Sequence, residues 1–450
     1  MKYKEKLERL IPGGAHTYSR GSDQYPSNAP SLVAKGNGAY LYDLKGKKYL
    51  DYGMGLRSVT IGYNNREIND GAISEIKKGN NLTKPSIAEL KAAQEFTKLI
   101  PGADMVKFAK HGSNVTTAAV KLARSYTGKE IVCFPKEQPF FSFDDWFIGS
   151  TKITKGVLKK TSNFSKTFTY NDLSSLKKIF KKFPKNIACV ILEPATFLTP
   201  CFNSCKIYSH KFKCKNCNLR KENFLSKVRS LCNKYSSLLI FDEMISGFRW
   251  DLKGAQNFFN VTPDLSTFGK AMANGFSLSA LAGKRKIMEY GSINKKNRER
   301  TFLLSSTHGA EMSSLGAFLA TIKFYKKNKV INHLWNFGEK LKNEINNLSK
   351  ELDLDKYFFI EGPSICLNYR TKNKNYEDCL ILRTLFQQEM VKNGILMPWI
   401  APSYSHKNKE FDLTIKACKL SLLVYKKALI YGTKKYLKGP SIKPVFRRYN

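Results

Sequence analysis

No apolar run in this sequence approaches the roughly 20 residues that span a bilayer. Its first residues, Met1-Lys2-Tyr3-Lys4-Glu5-Lys6, lack the apolar core of a secretory signal. A membrane chain is therefore not expected, and the expected location is the cytoplasm. Acid is scarce: 36 Asp and Glu stand against 76 Lys and Arg, a formal net charge of +40. Such an excess can signal nucleic acid or an anionic membrane. Yet no basic tail stands apart, and no RNA-binding or zinc-finger DNA-reading signature is present. Lysine is spread along the whole chain, often beside Asn, as in Asn294-Lys295-Lys296-Asn297 and Lys372-Asn373-Lys374-Asn375. Biased Lys/Asn use on a solvated surface is the simpler account, so nucleic acid is not an expected partner. The charge still steers acidic substrates and phosphates. Internal repeats and low-complexity linkers are also missing, which argues against repeat arrays and long disordered tracts.

What is present suits a globular chain: 42% hydrophobic and 12% aromatic residues over a length that allows two or three structural units. Six of the ten cysteines are scattered, at 133, 189, 232, 366, 379 and 418, and read as core thiols in a reducing compartment. Alternating apolar positions around Lys45-Gly46-Lys47 predict a hairpin over 39–52. Ile87, Leu90, Ala93, Phe96 and Leu99 predict a helix over 84–100. From about 105 to 285, compact apolar runs such as Ala188–Leu192 and Leu238–Phe241 alternate with helices. Continuous apolar runs fit strands covered on both faces, so the fold class is α/β with a mostly parallel sheet. Helices are expected over 310–350, then alternating strands and helices from 357. The expected divisions are an N-terminal segment to 65, a large domain over 66–325 and a C-terminal domain over 326–450.

Three stretches carry chemistry. In Leu239-Ile240-Phe241-Asp242-Glu243-Met244 a buried strand ends in carboxylates, at the place where open α/β sheets bind ligands. A buried Asp there needs a cationic partner to stay charged; its bland alternative is a helix cap. In Phe268-Gly269-Lys270-Ala271-Met272-Ala273-Asn274-Gly275 a lysine lies among small residues. Burial makes such an amine a better nucleophile toward carbonyls, although one more surface lysine is the plain alternative. In Lys110-His111-Gly112-Ser113-Asn114-Val115 a Gly-Ser turn opens an amphipathic helix, whose first N–H groups can cradle a phosphate. Alone it is a capped helix.

In that order (phosphate cradle, strand-end Asp, Lys) the sequence resembles the fold-type I pyridoxal-phosphate (PLP) enzymes. Within them it resembles the class III aminotransferases, in the branch related to glutamate-1-semialdehyde 2,1-aminomutase. The resemblance runs from Ile11-Pro12-Gly13-Gly14 nearly to the last residue. It implies a large domain, with a mostly parallel sheet between helices, and a smaller α+β domain built from the N- and C-terminal parts. It implies that Lys270 holds PLP as a Schiff base and shuttles a proton, and that Asp242 pairs with the pyridine nitrogen. Met244 takes the position under the ring, where the family usually has Val. Gly112, Ser113 and Asn114 match the phosphate turn, although an acid often stands where Asn114 is. Phe140 falls where an aromatic stacks on the ring, and Phe141 where the family often has His; ordinary core packing is the alternative for both. Glu193 matches a Glu near the cofactor. Thr307 matches a Thr reaching the neighbouring subunit's cofactor phosphate, which implies a homodimer with shared active sites. Arg20 falls where the aminomutase binds a substrate carboxylate.

Three segments depart from the aminomutase. Gly55-Leu56-Arg57-Ser58 replaces a Ser-Trp-Gly-Pro loop. Ala271-Met272-Ala273-Asn274-Gly275 replaces a Gly-rich run. Met397–Ser405 is shorter than the family's loop and lacks its gating Glu. An aminomutase must retain its diamino intermediate, so these losses favour plain transamination between an amino-acid donor and a carbonyl acceptor. Nucleotide-sugar or surface-polysaccharide synthesis is a setting suggested by analogy. The aminomutase reaction is the alternative. A polyanion-binding protein on an inactive fold is a remote third, and it would have no need for Asp242 and Lys270 together.

Within an insertion over 195–223, Cys201, Cys205, Cys214 and Cys217 form two close pairs in a basic setting. They read either as a structural thiolate site for zinc or as unpaired, redox-labile thiols.

Overall fold

The computed structural model describes residues 3–201, 223–294 and 296–449. Cys205, Cys214 and Cys217 lie outside the described residues. Cys201 is described and buried, and its backbone N–H donates to Asn171 Oδ1 at 2.9 Å. Among the described residues no group of His, Cys, Asp and Glu could hold a metal ion, and no helix is long and apolar enough to cross a membrane.

The chain forms two compact units, one from 1–65 with 332–447 and one from 66–331 with the last three residues. In chain order the strands are β1 (Val33–Asn37), β2 (Tyr40–Asp43), β3 (Lys48–Asp51), β4 (Met105–Ala109), β5 (Ile131–Pro135), β6 (Ser165–Phe168) and β7 (Ile187–Leu192). They continue with β8 (Leu238–Glu243), β9 (Leu265–Phe268), β10 (Ser279–Gly283), β11 (Phe358–Glu361), β12 (Asn368–Thr371) and β13 (Ile395–Leu396).

The larger unit is organised by a seven-stranded sheet, ordered β4-β10-β9-β8-β7-β5-β6. β9, β8, β7, β5 and β6 pair in parallel. β10 runs against both β9 and β4, so β4 points the same way as the parallel five. Every residue of β7, β8 and β9 is buried. Full burial explains why β7 and the first four residues of β8 read as continuous apolar runs rather than alternating ones. The helix Gly112–Thr127 lies across β7 to β10, and its buried face (Val115, Ala118, Ala119, Leu122, Ala123) joins Ile191, Ile240 and Leu281 in one core. Helices Arg66–Ile76 and Met312–Asn328 meet at two glycines; a Cβ on Gly316 would stand 2.3 Å from the Gly71 carbonyl oxygen. Asp264 ties the entry of β9 to β8, accepting from Arg229 Nη1 (2.5 Å), Lys284 Nζ (2.6 Å) and the Leu239 N–H (2.8 Å).

The smaller unit holds the sheet β1-β2-β3-β13 and the pair β11-β12. The expected hairpin is β2–β3, antiparallel around Lys45–Lys47. Helices Leu380–Lys392 and Asn408–Tyr431 pack together, and Phe386, Met390, Cys418, Leu422 and Tyr425 from them join Leu50, Phe358 and Tyr369 in a core.

Candidate active site

Because β4, β5, β7, β8 and β9 run the same way, their carboxyl ends form one edge of the sheet. The chain leaving β4 reaches Gly112-Ser113-Asn114, and that leaving β5 reaches Phe140. Glu193 follows β7, Asp242 and Met244 lie at the end of β8, and Lys270 follows β9. A parallel sheet gathers ligand-binding groups at this edge by topology alone.

Asp242 is 3% exposed and sits opposite Thr267 in the β8–β9 register. The Met244 N–H and the Thr267 hydroxyl both donate to its Oδ1, at 3.0 and 3.2 Å. Among the described residues both donors fall on Oδ1, so Oδ2 can take a donor in the site. Burial pushes the Asp242 carboxyl up to about 6, an effect moderated by the nearby Lys270 ammonium and by the two hydrogen bonds. Asp242 and Lys270 are thus close enough to interact electrostatically. The helix-cap alternative does not apply: Asp242 lies within β8, and the next helix begins only at Ala255, capped by Gly254. Glu243, next along the strand, takes the Ser246 hydroxyl (2.6 Å) and the Ala255 and Gln256 N–H groups (2.9 and 2.8 Å). Burial pushes it up to about 7.

Lys270 opens a short 3₁₀ turn, Lys270–Ala273, with φ +46°. A lysine held in the left-handed region is strained, and such strain persists where the surroundings fix it. Gly269 precedes it because a Cβ there would stand 2.7 Å from Met244 Sδ; a Cβ on Gly112 would meet the same sulfur at 2.9 Å. Met244 therefore joins the phosphate turn to the lysine turn, and two glycines make room for a side chain longer than Val.

The helix Gly112–Thr127 has His111 at its N-cap with no side-chain cap. The Asn114 N–H reaches the His111 carbonyl at 3.1 Å, while the N–H groups of Gly112 and Ser113 have no acceptor among the described residues. The Ser113 hydroxyl accepts from the Phe143 N–H at 3.2 Å and keeps its own proton to donate. Exposed N–H groups at a helix start, with a hydroxyl beside them, suit a phosphate.

The segment after β5 is fastened to that helix: Thr116 Oγ1 donates to the Phe141 carbonyl at 2.7 Å, and Trp146 Nε1 to Thr117 Oγ1 at 2.8 Å. The two phenylalanines part company here. Phe141 is 2% exposed and packs on Phe134 and Phe147, so core packing holds for it. Phe140 is 47% exposed, an open aromatic face at the sheet edge. Glu193 is buried, and its backbone is clamped by Gln138: Nε2 donates to the Glu193 carbonyl and Oε1 accepts from its N–H, both at 2.8 Å.

The structure does not bring all the candidates together within the larger unit. Thr307 belongs to that unit but lies on an exposed stretch beside Asn81–Glu89. Glu311, four residues on, is ion-paired to Lys110, and its Oε1 lies 2.9 Å from His308 Nδ1. Arg20 belongs to the smaller unit, exposed in the turn Tyr18–Arg20. Its charge acts on the Tyr25 and Tyr63 phenols. Sequence reasoning missed Thr267 and Gln138. Thr267 had a signal, since it precedes Lys270 by three residues on a strand beside that of Asp242; Gln138 had none.

The described residues fit PLP: a donor-rich, uncapped turn for its phosphate, a carboxylate oxygen for its ring nitrogen and a lysine for its aldehyde. Comparison with known proteins agrees. The family model described as aminotransferase class-III matches residues 22–196 and 217–360. A glutamate-1-semialdehyde 2,1-aminomutase of Wigglesworthia glossinidia brevipalpis is 30% identical over 431 residues, 91% of this chain and 94% of its own. A 3-aminobutyryl-CoA aminotransferase of Cloacimonas acidaminovorans is 30% identical over 430 residues, 94% and 97% of the two chains. The Sphingopyxis sp. FumI protein, solved in its PLP internal aldimine form, shares the fold. Its TM-score is 0.81 at 22% identity, over 95% of this chain and 97% of that one.

Proposed function

The chain belongs to the class III aminotransferase family and is a PLP-dependent transaminase, and we propose that Lys270 is its catalytic residue, working between an amino-acid donor and a carbonyl acceptor. The observation that carries this is the placement of Asp242 and Lys270 at the ends of adjacent parallel strands, close enough for the lysine charge to act on the carboxyl. When bound, PLP supplies the electron sink that lets the proton beside the amino group leave. Lys270 Nζ would hold the cofactor's aldehyde, and would take and return the proton at the substrate carbon. Asp242 Oδ2 keeps the proton on the ring nitrogen. Gly112, Ser113 and Asn114 would hold the phosphate, Phe140 and Met244 would pack against the ring, and Glu193 would stand near it. Arg20 binds a substrate carboxylate through its two-pronged donor edge. In a homodimer, Thr307 serves the neighbouring subunit's cofactor. Transamination is favoured over the aminomutase reaction because Met397–Ser405 carries no acidic residue to gate a retained intermediate.

An absorbance spectrum tests this reading. A band near ~420 nm, expected for PLP on a lysine, should bleach with glutamate and return with 2-oxoglutarate. A band indifferent to glutamate would favour another donor or the aminomutase substrate. No band after PLP is supplied would overturn the cofactor assignment.

A further inference from the structure

Two long helices of the smaller unit turn different surfaces to solvent. Helix Val330–Glu351 exposes only Asn, Lys and Glu. Helix Asn408–Tyr431 packs Phe411, Ala417, Cys418, Leu422, Tyr425 and Leu429 into the core. On its other side it leaves Leu413, Leu420, Leu423 and Ile430 40–56% exposed. A single exposed leucine is ordinary, but these four are ordered. With the exposed Lys416 and Lys427 they form the row Leu413, Lys416, Leu420, Leu423, Lys427 and Ile430. Its spacing alternates between three and four residues, the repeat of a seam that receives a second helix. On a helix of roughly 3.6 residues per turn the six fall within an arc of about 100°, with both lysines along its middle. Lys426, beside the row, is paired with Asp353 at 3.1 Å, whereas Lys416 and Lys427 form no ion pair among the described residues.

The lysines decide what fits this face. A second copy of the chain is disfavoured in either orientation. Antiparallel pairing would set Leu413 against Ile430 and Leu420 against Leu423, but Lys416 against Lys427 on both sides. Parallel pairing would set each lysine against itself. Like charges facing one another across a seam oppose association. A lipid surface is disfavoured as well. A helix lying on a membrane keeps its lysines at the borders of the apolar face, where they reach the headgroups; here they lie in the middle. The other charged residues that this helix exposes, Lys409, Lys419 and Asp412, add to the positive charge.

We propose that the outward face of helix Asn408–Tyr431 docks an acidic amphipathic helix of a partner protein. That helix carries apolar residues against the four aliphatic side chains and Asp or Glu against Lys416 and Lys427. Its two acids stand about 16 Å apart along the axis, the rise from Lys416 to Lys427. The aliphatic contacts supply the hydrophobic part of the attraction, and the two charge pairs set register and choice of partner. Such docking does not depend on which reaction the enzyme performs.

The test is fluorescence anisotropy of the PLP-loaded enzyme with a labelled helical peptide that has Leu at the four matching positions and Glu at the two facing the lysines. A control peptide has Lys at those two. The Glu peptide should bind about tenfold or more tightly than the Lys peptide, and added salt should shrink the difference. Leu420→Asp should weaken it by about tenfold or more, because a carboxylate then enters the seam. Lys416→Glu combined with Lys427→Glu should reverse the preference, so that the Lys peptide binds better. All three positions are exposed, so the melting temperatures should stay near wild type. Binding of neither peptide, equal binding of both, or Glu-peptide binding that survives Leu420→Asp would overturn the proposal. So would a Leu420→Asp protein that loses subunits in sedimentation, which would give the face to a second copy. Wild-type binding to phosphatidylserine vesicles that Leu420→Asp abolishes would give it to a membrane instead.

Discussion

Asp51 and Asp242 are both buried aspartates at the ends of strands, and burial pushes both carboxyls up. They do opposite work. Asp51, closing β3 in the smaller unit, uses both oxygens on three donors of its own unit, which hold a strained turn, Met54–Arg57, at φ of +41° to +67°. Asp242, at the end of β8, has its protein donors on one oxygen and a lysine charge nearby. The first is a structural anchor and the second a ligand group held in readiness. Burial and charge alone do not separate a catalytic carboxylate from a structural one; the count of lone pairs already engaged does.

Substitutions at and beside the two aspartates sharpen that contrast. Lys270→Ala should reduce turnover to background while the melting temperature stays close to wild type, measured by steady-state assay and calorimetry. Asp242→Asn keeps the oxygen that accepts from Met244 and Thr267, so the fold should survive. Its new NH₂ group cannot accept the ring-nitrogen proton, and kcat should fall by about 10²- to 10³-fold, in the range for a preorganised charge partner. The same change at Asp51 should invert the outcome. An NH₂ group facing a backbone N–H costs about 1–3 kcal/mol of stability, read by denaturant unfolding, while the maximal rate is largely kept.

Acidity gives a smaller effect. The Asp242 carboxyl rises from an ordinary 3.8 to about 6 on folding, so the folded state holds its proton more tightly than the unfolded one. Its stabilising contribution is present below pH ~4 and is lost as pH rises through about 6. A cationic ring nitrogen would cancel that loss, so cofactor loading should raise the melting temperature more at pH 7 than at pH 4.5. The contribution of Asp51 should be the same in both forms. Least of all, Met244→Val should cost about 1 kcal/mol by opening space beside Gly112 and Gly269, with a few-fold weaker hold on PLP by equilibrium titration.

The larger unit was the more legible of the two. Strands β5, β7 and β8 announce themselves as apolar runs because the sheet is covered on both faces, and parallel topology then brings distant motifs to one edge. Asp242 could be picked out as a candidate before any coordinates because it directly follows the apolar run Leu238–Phe241 within β8, and Lys270 because it stands two residues after β9 among small residues. Phe140 and Phe141 could not be told apart, since adjacent aromatics after a strand differ only in which way the chain turns. The reversal of β10 left no mark in its short, small-residue sequence, Ser279–Gly283. The left-handed run at 54–57 was invisible too: it depends on a carboxylate at 51, a phenol at 63 and an indole at 399, and its sequence contains a single glycine.

The most direct test of the central claim is to load the protein with PLP, reduce it with borohydride so that the cofactor is fixed to whichever amine carries it, and map the modified peptide by mass spectrometry. Among so many lysines, a pyridoxyl group confined to Lys270 is the predicted result. A label spread over surface lysines, or settled on a different one, would contradict it.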